Sequence, residues 1–241
     1  MEIINDVINY AKYYTGTDEP PIFYHEHIDL KGKLFVPADD FKLGQKLAKD
    51  TRDEVVLHYF EYDSPQNRLL GNNLADSPLH EKAFAVASPD FSVDSTKCWP
   101  CLNEGNILKA RICAYRWQCE CGEPVILTLI WGKDSSTYKL AFGNVEKGTI
   151  VAVSSQGVKD SETFENGIRA AIGIIQPENI CWYGDVFSFM KKYYDFSRII
   201  KMQPRRQLMK MLKEKNSQQD VLPLDISPKR RNAVGAAFLS N

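Results

Sequence analysis

Between Pro124 and Asp185 the chain repeats one pattern three times: a short apolar, β-branched run, a small or polar cluster, then a helix-like segment. The runs read PVILTLIWG, TIVAVSSQG and ICWYGD. Val125 to Trp131 is apolar nearly throughout, the mark of a strand covered on both faces, as in parallel α/β sheets. A chain built this way must cover both sides of its sheet with helices, and right-handed crossovers follow.

The alternation continues in both directions. Lys33 to Pro37, Glu54 to Tyr62, Ala83 to Ser88 and Arg198 to Met202 read as further strands. Helices are expected over Leu43 to Ala48 and from Ser64-Pro65, a cap residue followed by proline at the first helical position. Another spans Gly105 to Glu120, where Leu108, Ile112, Tyr115 and Cys119 recur at helical spacing and predict the buried face. Ser135 can cap a helix at Tyr138 to Phe142. Asp160 and Ser161 open a helix with a clean stripe of Phe164, Ile168, Ala171, Ile172 and Ile175, stopped by Pro177, and Phe187 to Tyr194 is expected to be one more. At the N-terminus, Ile3, Val7, Ile8 and Ala11 predict an amphipathic helix over residues 1–16.

Six or seven strand–helix repeats leave two architectures: a β/α barrel, incomplete or distorted, and an open doubly wound sheet. No glycine-rich dinucleotide fingerprint follows any strand, so the barrel-like α/β reading is favoured. Residues 1–204 then form a single α/β domain. Residues 205–241 form a basic, partly mobile tail, in which Arg205, Arg206, Lys229, Arg230 and Arg231 are candidate contacts to a nucleotide or nucleic-acid backbone.

Formal charges nearly cancel at -1, so no global field demands nucleic acid or an acidic membrane. Glu2 and Asp6 stand where a secretory signal carries basic residues, and no apolar run approaches the ~20 residues that span a bilayer. A cytoplasmic location is expected. The cysteines, Cys98, Cys101, Cys113, Cys119, Cys121 and Cys181, lack zinc-site spacing as a set and read as reduced thiols.

Either architecture puts function beyond the carboxyl ends of the strands. Those positions hold Asp39 and Asp40, Glu61 and Asp63, Asp90, Trp131 with Asp134, Ser154-Ser155-Gln156, and Tyr183 with Asp185. Such carboxylates suit Mg²⁺ or Mn²⁺, which can organise phosphate chemistry. Aspartate is also a common turn former and helix cap, and that alone explains Asp134 and Asp160. Ser154-Ser155-Gln156-Gly157 reads equally as an anion-binding turn before a helix or as a plain loop.

The segments Ser88-Pro89-Asp90-Phe91-Ser92, PVILTLIWG, TIVAVSSQG and Tyr183-Gly184, in this order and spacing, resemble the bacterial and phage domain of unknown function 4417 family. Its members show SPDFS, then strands ending in Arg-Trp-Gly-Asp, Ser-Thr-His-Gly and Tyr-Gly. This chain departs from that pattern with Ile130 for the arginine, Lys133 for the aspartate and Gln156 for the histidine. The resemblance implies an intracellular protein of bacterial or mobile-element type, brings no activity with it, and supports Asp90, Trp131, Ser155 and Tyr183 as site-facing.

The leading expectation is a metal-dependent enzyme acting on a phosphate-containing nucleotide or nucleic acid. Asp90, Asp185 and Glu61 are the candidate catalytic residues, the two aspartates holding the metal. Ser154, Ser155 and Gln156 face the ligand with Tyr183, and Trp131 stacks on a base. The alternative is a non-catalytic protein that captures a nucleotide or a host protein, motivated by the three departures. The sequence leaves open whether there is turnover.

Overall fold

The computed structural model describes residues 20, 22–60, 69, 75–93 and 100–219. The helix expected at 1–16, the helix expected from Ser64, Glu61, Asp63, Lys229, Arg230 and Arg231 lie outside the described residues.

Among the described residues seven strands form one sheet in strict chain order: β1 (Leu34–Pro37), β2 (Val55–His58), β3 (Ala85–Ala87), β4 (Val125–Thr128), β5 (Val151–Ser154), β6 (Ile180–Tyr183) and β7 (Ile199–Lys201). Every neighbouring pair is parallel; Phe35 lies opposite Val56, and Ala152 opposite both Thr128 and Cys181. A doubly wound sheet reverses its strand order part-way, and this one never does. It curls in one direction into a half-barrel, which bears out the barrel-like expectation over the doubly wound one.

Around it stand α1 (Phe41–Leu47), α2 (Thr51–Glu54), α3 (Ser77–His80), α4 (Pro100–Tyr115), α5 (Ser136–Phe142), α6 (Ser161–Ile175) and α7 (Arg205–Gln219), with a wide π turn at Arg116–Glu120 extending α4.

Alternation along each strand sorts the core into two apolar layers. Phe35, Val56, Ala85, Ala87, Ile126, Ala152, Cys181 and Tyr183 fill the inside of the curl, and Ile28 and Leu30 from the segment before β1 join them. Val36, Leu57, Val86, Leu127, Val153 and Trp182 face outward and pack beneath the helices. Burial on both faces is why the strands read as unbroken apolar runs. The alanines of β3 and β5 leave interior space beside the larger Phe35, Phe60 and Tyr183.

α6 follows its sequence closely. Asp160 caps it, accepting from the amides of Glu162 and Thr163; Phe164, Ile168, Ala171 and Ile175 are buried; Gln176, at φ 50°, ends it in the left-handed conformation ahead of Pro177. α4 forms where expected, and the predicted face is only partly the buried one. Ile112 is buried as predicted, Leu108 and Tyr115 are half-buried and Cys119 is exposed, while Ile107, Ala110, Ala114 and Trp117 form a second buried stripe. Both stripes have helical spacing, and the small alanines let α4 approach the sheet along the second. From this face buried Arg111 donates to the carbonyls of Leu140, Ala141 and Gly143 at 3.0 to 3.2 Å, closing the C-terminus of α5.

Over Phe187 to Tyr194 the expected α-helix is a 3₁₀ turn at Ser188–Lys192. Phe187 and Phe189 stack at 5.3 Å and both lean on Phe164, which needs two residues an i,i+2 step apart on one side. An α-helix points such residues away from each other.

Seven strands do not close a barrel, so β1 and β7 face a seam without a ladder between them. The amide of Phe35 on β1 donates instead to the side-chain oxygen of Gln203, just past β7, at 3.0 Å. The chain then enters α7, which packs on α1 and β1 through fully buried Leu208. Lys215 donates to the carbonyls of Lys46 and Leu47 at 2.9 and 3.0 Å, capping α1, and Arg205 pairs with Asp40 at 2.8 Å. The stretch expected to begin a tail at 205 thus starts as a docked helix, longer than the Leu208 to Lys215 segment read from the sequence.

Replacing Gln203 by alanine strands the Phe35 amide at the seam. We expect a loss of about 1–3 kcal/mol in urea unfolding, with amide exchange at Phe35 accelerated ahead of the other inner strands.

Candidate functional site

The loops beyond the carboxyl ends of the strands enclose a cavity of about 820 Å³. Every strand sends a residue to its wall: Asp39 after β1, Phe60 after β2, Asp90 after β3, Trp131 after β4, Ser154 at the end of β5, Tyr183 at the end of β6 and Arg205 after β7. Val158, Lys159, Asp160 and Thr163 complete the β5–α6 side. The mouth follows from the parallel sheet, since all seven strands end on the same side.

Its floor is aromatic. Phe60 and Tyr183 stack with ring centres 5.3 Å apart and planes 9° from parallel, although 123 residues of sequence separate them. The curl brings β2 opposite β6. Directly behind the pair lies the ring of His58, 5.7 Å from Phe60 and 5.1 Å from Tyr183, with no solvent exposure. Burial pushes its pKa down to about 3, so the imidazole is neutral throughout the physiological range. Sequence reasoning passed over His58. The available signal was a histidine at the inward position of a strand whose other inward residues are apolar.

Trp131 forms one side wall. Its indole N–H donates to the carbonyl of Thr163 at 3.3 Å, and its ring packs against Phe142 and Phe164. Gly167 on α6 lies directly against the indole, where any β-carbon would overlap it. Trp131 is therefore held by packing as well as being a lining residue.

Charges on the wall are mixed, with Asp39, Asp90 and Asp160 set against Lys159 and Arg205. Asp160 is already engaged. The Thr163 hydroxyl at 2.7 Å, together with the α6 amides, holds its carboxyl below the usual range. Arg205 sits at the rim, its pKa raised by its hydrogen bond to Asp40.

Of the residues predicted from sequence, Asp90, Trp131, Ser154, Gln156 and Tyr183 come together on this cavity. Ser155 and Asp185 are not on its wall. Ser155 turns behind β6, where its hydroxyl accepts from the Trp182 indole at 3.2 Å and donates to the Tyr183 carbonyl at 3.3 Å. Asp185 is exposed, and its backbone carbonyl accepts from the same indole at 3.0 Å. Glu61 lies outside the described residues. Among the described residues no three His, Cys, Asp or Glu side chains gather in an arrangement that could hold a metal ion.

In the Ser154-Ser155-Gln156-Gly157 turn two backbone amides are already engaged. Ser155 N–H donates to the Tyr183 carbonyl at 2.9 Å and Gln156 N–H to the Ser154 hydroxyl at 3.2 Å, while Asp160 takes the first amides of α6. The plain-loop reading fits this bonding. Asp134 is a turn former, accepting from the Ser136 amide at 2.9 Å. Arg206 points elsewhere, lining a shallow groove with Met209, Lys210 and Lys213 on the solvent face of α7.

Among the described residues no helix is long and apolar enough to cross a membrane. The profile of a family described as a domain of unknown function, DUF4417, matches residues 26–203. The chain is similar to the Gene 1 protein of Mycobacterium phage L5, at 32% identity over 180 residues, covering 67% of this chain and 72% of that protein. It is also similar to the Gene 1 protein of Mycobacterium phage D29, at 24% identity over 171 residues, covering 66% of this chain and 60% of that protein. No solved structure matches.

Replacing Gly167 by alanine drives a methyl group into the Trp131 indole. We expect about 1–3 kcal/mol of destabilisation and a shifted tryptophan emission, and most of the penalty should vanish when Trp131 is also changed to leucine.

Proposed function

This chain belongs to the DUF4417 family, which supplies no activity to carry over, and we propose from its mouth that it captures one small, ring-bearing polar molecule of the nucleotide class. The observation that carries this reading is the meeting of aromatic rings and carboxylates in one cavity of about 820 Å³, within the range of small-molecule sites. Phe60, Tyr183 and Trp131 offer ring surfaces to a base. Asp39 and Asp90 suit sugar hydroxyls or exocyclic amines as hydrogen-bond donors, and Lys159 and Arg205 at the rim suit a phosphate.

Capture is favoured over turnover. Asp185 stands off the wall that carries Asp90, and the Ser155 and Gln156 amides in the turn after β5 are already engaged. Two of the three departures from the family pattern, Ile130 and Gln156, are themselves lining residues. The metal-dependent reading retains Asp39 and Asp90 as carboxylates for Mg²⁺ or Mn²⁺.

Incubation with a mixed nucleotide pool, followed by mass spectrometry of what denaturation releases, separates these readings. We expect an unchanged nucleotide to be retained, and its retention to fall when Trp131 is replaced by leucine. A chemically altered nucleotide would establish turnover, and nothing retained would remove the nucleotide class.

A second reading concerns α7. Arg206, Lys210 and Lys213 lie along its solvent face, separated from the mouth, and suit a nucleic-acid backbone. Changing all three to alanine is expected to weaken retention of a short RNA or DNA and to flatten its salt dependence by about three charges, leaving nucleotide capture at the mouth intact.

A further inference from the structure

His58 ends β2 on the inward face, two residues beyond Val56, at the mouth end of the half-barrel. It is fully buried, and its Nε2 has no hydrogen-bond partner among the described residues. Its other ring nitrogen is occupied: Nδ1 accepts from the Phe60 amide at 3.3 Å. A neutral imidazole carries one proton, and a nitrogen that accepts does not hold it. The proton is therefore on Nε2, and His58 presents a buried N–H donor with no acceptor among the described residues. Leaving such a group unmet costs a folded protein appreciable stability, so its position asks for an explanation.

The surroundings supply one. The stacked rings of Phe60 and Tyr183 both line the cavity and both touch the imidazole. Rings of this kind can move apart to let a planar molecule slide between or beside them. A neutral, desolvated N–H suits an uncharged acceptor, such as a carbonyl oxygen or a ring nitrogen. It does not suit an anion's full charge as well as the cations at the rim do.

Resting on the capture reading above, we infer that His58 is the innermost contact of the site: its Nε2–H donates to a carbonyl or ring-nitrogen acceptor of a heterocyclic base that enters ring-first past Phe60 and Tyr183. The sugar and any phosphate then lie outward, toward Asp39, Asp90, Lys159 and Arg205. His58 is a binding residue here, and no proton is transferred.

The test uses the full chain with ¹⁵N-labelled histidine, uridine as probe and D-ribose as the base-free control. The free protein is expected to show His58 as the neutral Nε2–H form from about pH 5 to 8. Uridine should shift the Nε2 proton resonance and perturb the Trp131 indole signal, whereas ribose should leave His58 unmoved. His58→Phe, which keeps the ring and removes the donor, should weaken uridine binding roughly tenfold or more. The wild-type resonances stand by themselves if that variant does not fold. An Nδ1–H tautomer overturns the inference. So does a Trp131 response to uridine with His58 unmoved and His58→Phe binding within about twofold of wild type; in that case capture at the mouth survives. If neither His58 nor Trp131 responds, capture of this class fails, and the inference with it.

Discussion

Seven parallel strands laid down in chain order have to curl, and a curl that stops at seven leaves two edges whose backbone groups need partners. An eighth strand would meet both. Here the amide of Phe35 is met by one side chain, Gln203, and α7 lies against α1 and β1 beside it. A docked helix beside β1 hinders pairing of that edge with another chain. It also reaches the mouth, because the turn from β7 into α7 carries Arg205 to the rim and fixes it on Asp40. Closure of the fold and the composition of the cavity wall therefore depend on the same few residues.

Much of the mouth is architecture before it is chemistry. Trp131 is wedged against α6 at Gly167, Asp160 caps that helix, and Ser155 ties the end of β5 to β6. These contacts fix Trp131, Asp160 and Ser155 in place. The same cavity wall also carries Asp39 and Asp90, the rings of Phe60 and Tyr183 with His58 against them, and Lys159 and Arg205.

The departures from the family pattern gain meaning from their positions. Ile130 and Gln156 line the cavity, and Lys133 lies close enough to Asp160 to lower its pKa further. An arginine replaced by isoleucine removes a cation from the wall, and a histidine replaced by glutamine removes a group that could move a proton.

The sequence by itself determined the elements and the sense of their order. Apolar runs in β1 to β6, the capped stripe of α6 and the crossover spacing are local signals, and a parallel sheet with functional residues beyond its strand ends follows from them. The position of Asp90, Trp131, Ser154, Gln156 and Tyr183 on one cavity was legible for that reason. Tertiary structure alone decided which stripe of α4 faces inward and that the Phe187 segment tightens into a 3₁₀ turn. It also decided that Ser155 turns behind β6, that Gln203 closes the seam and that His58 meets Tyr183. Each of these depends on a partner far away in the chain, and periodicity records which residues share a face without recording what that face will meet.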